Sequence, residues 1–108
     1  MNYKVELTEN FKKEAKKLIN KYASLQSEIE ELGESLSRNP VMGTALGNDV
    51  YKIRLAIASK NKGKSGGARV ITFVKVLAEK VYLLSIYNKS EKESISNKEI
   101  ELILKNYL

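Results

Sequence analysis

The sequence predicts an α+β fold: a small, mostly antiparallel sheet in the order β-α-α-β-β-β-α, with an N-terminal helical hairpin and a C-terminal helix. Three observations predict it. Apolar residues recur at helical spacing through residues 11–36 and again through 100–108. β-branched and apolar residues dominate residues 50–57 and 70–87, with short polar breaks between them. The chain has 108 residues and no linker-like or repeated stretch, so one domain over residues 1–108 with one modest core is expected.

Tyr3, Val5 and Leu7 alternate with Asn2, Lys4 and Glu6, which is the pattern of a half-buried strand. Thr8 suits a helix N-cap, with Glu9 in the favourable first turn. Phe11, Ala15, Leu18, Ile19 and Tyr22 follow at helical spacing, and Leu25, Ile29, Leu32 and Leu36 make a second stripe. Ser24 is the candidate cap between them, and the short gap predicts a helical hairpin. Gly33 weakens the second helix by ~1 kcal/mol relative to Ala. Asn39-Pro40 ends it, because the residue before proline avoids helical angles.

Residues 40–49 read as a loop punctuated by Gly43 and Gly47. Tyr51, Ile53, Leu55 and Ile57 then alternate with Lys52, Arg54 and Ala56, placing Lys52 and Arg54 on one face of a strand. Residues 58–68 read as a flexible basic loop, in which Gly66 and Gly67 serve positive φ angles or a bulge. Val70–Leu77 is the next strand and Ala78-Glu79 a tight turn. Val81–Tyr87 is apolar on both faces, as a covered central strand requires. Short connections make these strands a meander. Ser96 and Glu99 fit a capping box, with Ile95 and Ile100 placed for a hydrophobic staple. Ile100, Ile103, Leu104, Tyr107 and Leu108 form the stripe of the last helix.

Composition narrows the function. At 43% hydrophobic and 30% charged, the chain is globular rather than disordered. It has no run long enough for a membrane span and no apolar leader, so the cytoplasm is the expected compartment. No cysteine means no disulfide, and with no histidine either, the common zinc sites and the Ser-His-Asp and Cys-His constellations are excluded.

The charge is unevenly placed. Residues 50–75 hold Lys52, Arg54, Lys60, Lys62, Lys64, Arg69 and Lys75 and no acid. The chain has 19 Lys+Arg and 13 Asp+Glu, so the remainder is left with 12 and 13. The whole net charge of +6 therefore sits in this segment, as a protein holding a polyanion on one surface would need. Taken singly, the bland readings compete. Lys52 and Arg54 also suit a solvated face, and Arg69 could pair with Glu79 or Asp49. Tyr82 and Tyr87 also suit core or rim.

The order of elements, the YKIRLA strand, the GKSGGARVI stretch and the LLSIYNKSEKE segment together resemble the RelE/ParE toxin superfamily. Within it they are most similar to the RelE-like and HigB-like branch with a basic GK-x-GGAR loop. The resemblance implies a RelE-like fold and the toxin of a type II toxin–antitoxin system. RelE-type members cut mRNA on the ribosome without a metal or other cofactor. ParE-type members share the fold and inhibit DNA gyrase, and a decayed member would act only as a nucleic-acid-binding module. The implied partners are the ribosome, mRNA and a cognate antitoxin, which in HigB-like pairs often carries a helix-turn-helix domain.

The resemblance also assigns residues. Lys52 and Arg54 match the basic pair of this strand, and Arg69 matches a phosphate-stabilising arginine at the start of the next. Lys89 falls near the basic residue after the last strand. RelE proper has a C-terminal tyrosine that contributes to cleavage. Ser94 or Ile95 stands at about that place here, leaving Tyr87 or Tyr51 to substitute. The expected catalytic set is Lys52, Arg54, Arg69, Tyr87 and Lys89, with Lys60, Lys62, Lys64 and Lys75 contacting RNA. Such chemistry needs no histidine: Lys crowded by cations can act as a base, Arg clamps phosphate, and Tyr stacks or relays a proton.

Overall fold

The computed structural model describes residues 2–60 and 66–108. Five strands form one sheet in the spatial order β1-β5-β4-β3-β2. Along the chain these are β1 (Lys4–Leu7), β2 (Thr44–Gly47), β3 (Val50–Leu55), β4 (Ala68–Lys75) and β5 (Lys80–Asn88). The helices are α1 (Glu9–Lys21), α2 (Leu25–Arg38) and α3 (Asn97–Tyr107). β2 to β5 form the expected antiparallel meander, while β1 lies parallel to β5. β5 is thereby interior, which accounts for its apolar character on both faces.

One strand was not anticipated. β2 falls within the stretch expected to be a loop, and all four of its residues are exposed. Its sequence, TALG, has no buried alternation to read. What holds it is a left-handed backbone at Gly43, Gly47, Asn48 and Asp49, which returns the chain alongside β3. At Gly43 a Cβ would collide with the Lys52 carbonyl oxygen, so only glycine fits.

The sheet carries a core on each face. On one side α1 and α2 bury Phe11, Leu18, Leu25, Ile29 and Leu36 against Ile53, Val70, Val81, Leu83 and Ile86. On the other, α3 buries Ile100 against Val50, Ile71, Leu84 and Tyr87. The caps set these helices. Thr8 Oγ1 accepts from the Phe11 amide at 3.1 Å and donates to the Leu83 carbonyl at 3.0 Å, tying the start of α1 to β5. Ser96 and Glu99 make the full capping box, and Ile95 packs on the same cluster as Ile100. Ser24 does not cap α2; its hydroxyl bonds to Glu28 and Ser59 instead. The α3 stripe ends at Leu104, since Tyr107 and Leu108 are exposed. Among the described residues, no helix is long and apolar enough to cross a membrane.

Candidate functional site: a basic row across three strands

Register brings the candidates together. Arg54 on β3 lies directly opposite Arg69 on β4, and Arg69 directly opposite Tyr87 on β5. The three form a row across the sheet, each step about 5 Å. Alternation places the row on the α3 side, with Lys52 two residues along β3 and paired with Ile71 of the α3 core.

The row grades from solvent to core. Arg54 is exposed, Arg69 is 5% exposed and Tyr87 is 5% exposed. Among the described residues neither Lys52 nor Arg54 has a carboxylate within ion-pair distance. Arg69 donates from Nη1 to the Ala68 carbonyl at 3.1 Å. The suggested partners of Arg69 lie elsewhere: Asp49 bonds beside Val74, and Glu79 sits in the β4–β5 turn, both at the other end of the strands.

Tyr87 sits beneath the approach to α3, with the Lys92 ammonium 5.6 Å from its ring centroid. Among the described residues its buried hydroxyl has no partner within strict hydrogen-bond geometry, although the Ile95 backbone lies near enough to lower its pKa. Burial pushes the phenol above its ordinary value, against the opposing pull of Arg69 and Lys92. It is therefore a neutral hydroxyl at physiological pH, able to donate a proton. Lys92 itself pairs with Glu99 at 2.6 Å, and that bond holds the Glu99 carboxyl below its usual range.

The remaining cations divide. Lys89 lies just past β5, half-buried, its ammonium on the Glu93 carbonyl at 2.9 Å and its amide on the Gly67 carbonyl at 3.0 Å. Continued alternation would have put Glu91 beside Lys89 and Tyr87. The strand instead ends at Asn88, and Glu91 turns to the α1 side, where Lys21 meets it at 3.0 Å. That bond lowers the Glu91 carboxyl and raises the Lys21 ammonium. Lys60 ends a short 3-10 turn, Ala58–Lys60, and its ammonium is held by three acceptors. Lys75 is exposed at the far end of β4, six residues from Arg69 and roughly 20 Å along the strand. Adjacency in a charge count does not bring it to the row. Lys62 and Lys64 lie outside the described residues.

Gly67 acts through close approach rather than a positive φ. A Cβ there would strike the Leu55 carbonyl oxygen and crowd the Ala56 and Ile57 backbone, so glycine lets the two chain segments meet where Arg54 and Arg69 face each other. Two features escaped sequence reading. Asn88, 3% exposed, pairs with Ala68 at the end of β5, one step beyond the row. Lys12, Lys13, Lys16 and Lys17 form an exposed basic flank on α1, which a chain-wide charge sum hides because α2 is acidic.

The chain and its fold match known proteins. The family model for the RelE toxin of the RelE/RelB toxin–antitoxin system matches residues 3–106. The chain belongs to the RelE toxin family. A free-state structure of a mutant E. coli toxin RelE superposes with a TM-score of 0.68 at 20% identity, covering 100% of both chains. The isolated E. coli RelE toxin gives 0.63 at 20% identity over 95% of this chain and 97% of that one. A chain of the RelBE2 toxin–antitoxin complex of Mycobacterium tuberculosis gives 0.63 at 17% identity, over 82% and 99%. At these identities the structures establish the shared fold.

Proposed function

We propose that this toxin is a metal-independent endoribonuclease that cuts mRNA on the ribosome, in the cytoplasm, and so inhibits translation. The observation that carries the reading is the Arg54–Arg69–Tyr87 row, with Lys52 beside it on β3 and the Lys89 amide bonded to Gly67 at its end. Like charges directly opposite one another weaken a strand pair. Arg54 is exposed to a phosphate directly, and Arg69, 5% exposed, joins it once the segment over the row gives way.

The chemistry uses the RNA's own 2′-hydroxyl. Its oxygen attacks the adjacent phosphorus while a base takes its proton, and the bond to the 5′-oxygen breaks as that oxygen gains a proton. Lys52 is the candidate base, two residues from Arg54 on the same face of β3. Arg54 and Arg69 hold the phosphate oxygens as negative charge grows on them. Tyr87 or Lys89 supplies the proton to the leaving oxygen. For Tyr87 this requires the segment over its ring to give way, because the hydroxyl is buried. Lys62 and Lys64 add non-specific phosphate contact.

A cognate antitoxin holds the toxin inactive, with an acidic or amphipathic segment over the basic face. A complex in which the antitoxin stays clear of residues 50–75 refutes that masking. The function is tested by inducible expression with primer-extension mapping of mRNA ends beside a gyrase supercoiling assay. Cleavage confined to translated mRNA is the expected result. Intact mRNA with altered supercoiling refutes it in favour of a gyrase poison, and harmless expression refutes it in favour of a binding module.

A further inference from the structure

We propose that Lys60 is a positioning residue rather than an RNA ligand, and that with Asn88 it forms a clasp setting Lys89 and the start of β4 at the open end of the row. The inference rests on the RNA reading only in taking RNA as the bound polyanion.

The clasp is built from saturated groups. The Lys60 ammonium has three hydrogens and three acceptors: Asn88 Oδ1 at 2.7 Å, Ser90 Oγ at 2.7 Å and the Gly66 carbonyl at 2.9 Å. The Tyr22 ring lies 5.5 Å from it. A phosphate could be bound only by giving up one of these bonds. Asn88 is equally committed. Its Oδ1 accepts from Lys60, the Ser90 amide at 3.2 Å and the Ser90 hydroxyl at 2.9 Å. Its Nδ2 donates to the Tyr22 hydroxyl at 3.0 Å and Glu91 Oε1 at 3.2 Å. The reversed amide would face its NH2 to the Lys60 ammonium, so this orientation follows from the partners.

The groups it joins are those of the row. Gly66 directly precedes Gly67, whose carbonyl accepts the Lys89 amide, and Ala68, which pairs with Asn88. Arg69 follows, opposite Tyr87. The clasp thus links the entry of β4, the turn carrying Lys89 and the end of α1, through side chains that touch no substrate themselves. Loss of a buried amide with five bonds frees several partners at once, so its effect reaches beyond its own contacts.

The test is a double-mutant cycle on the purified full-length chain with Lys60→Met and Asn88→Ala. Affinity for a single-stranded RNA oligonucleotide is measured across a salt series, well below the melting temperature, alongside thermal melts. Each single variant is expected to weaken RNA binding by the same factor, roughly three- to tenfold, and the double by no more than either. In a Lys89→Ala background the affinity loss from Asn88→Ala is expected to shrink below about twofold while its effect on Tm persists. A merely structural role would keep both. A ligand role for Lys60 predicts otherwise: the log–log salt slope falls by about 0.7 in Lys60→Met alone, with Asn88→Ala silent and the double additive. That result, or an undiminished Asn88→Ala loss in the Lys89→Ala background, overturns the proposal. A chain that binds the oligonucleotide but leaves translated mRNA intact refutes the nuclease and leaves the clasp standing. Melts without coupling refute the clasp alone, and a native chain without salt-sensitive RNA affinity refutes both.

Discussion

Replacing Lys52 and Arg54 together by Ala removes the two cations of β3 that face the α3 side without a carboxylate partner among the described residues. Arg54 is exposed and Lys52 half-buried, so neither change opens a cavity in the core. The effect should therefore fall on binding rather than folding. Each phosphate neutralised on a single strand contributes about 0.7 to the slope of log K against log salt, so losing two lowers the slope by about 1.4. Between 50 and 200 mM salt the native-to-variant affinity ratio should then shrink by roughly sevenfold. Fluorescence anisotropy with a labelled RNA oligonucleotide reads this directly, and a melt checks the fold. Cleavage in cells should be lost with it. A slope equal to that of the native chain would refute the placement of phosphate on β3, whatever happens to toxicity.

Four further outcomes are expected. Tyr87→Phe removes a buried hydroxyl with no well-formed hydrogen bond among the described residues, so Tm should hold or rise; a loss of cleavage at unchanged Tm would mark the proton donor, and unchanged cleavage would remove Tyr87 from the mechanism. Gly33→Ala, whose added Cβ meets nothing within 4 Å beyond the helix's own backbone and its chain neighbours, should stabilise α2 by about 1 kcal/mol, raising Tm by several degrees. Gly67→Ala drives a Cβ into the Leu55 backbone and should destabilise by on the order of 2 kcal/mol in a denaturant melt, with RNA affinity falling as the strands part. The Glu99 carboxyl is lowered by Lys92, so its contribution is present above the ordinary glutamate pKa and lost as pH falls through the depressed one. Carboxyl NMR should show Glu99 titrating low, and Lys92→Met should return it towards the ordinary value.

Much of the fold was legible because local chemistry and long-range packing agree. Thr8 and Ser96 announce their helices through capping bonds that are local in sequence. The alternation of Tyr51, Ile53 and Leu55 announces β3, since one face packs against α1 and α2. β2 was not legible because TALG is exposed throughout and is held by backbone turns and pairing. Ser24 resembled a cap by residue type alone, while its hydroxyl found other partners across the chain. In the site, the family motifs pointed to Lys52, Arg54 and Arg69, which register then placed on one face. Lys60 and Lys75 looked equivalent in a count of charge, yet one is held in a network and the other lies at the far end of β4.

By itself the amino-acid order determined every element but β2, the family and the concentration of positive charge in residues 50–75. The elements and the charge follow from periodicity, capping and composition, while the family shows through the motifs at residues 51–56, 63–71 and 83–93. Only the tertiary structure decided which charges meet. Arg54, Arg69 and Tyr87 are brought into one row by hydrogen-bond register between three strands, and a one-residue slip would send a strand's member to the other face. Burial then sorted them, leaving Arg54 in solvent, Tyr87 under the approach to α3, and Lys60 and Asn88 holding the end of the row together.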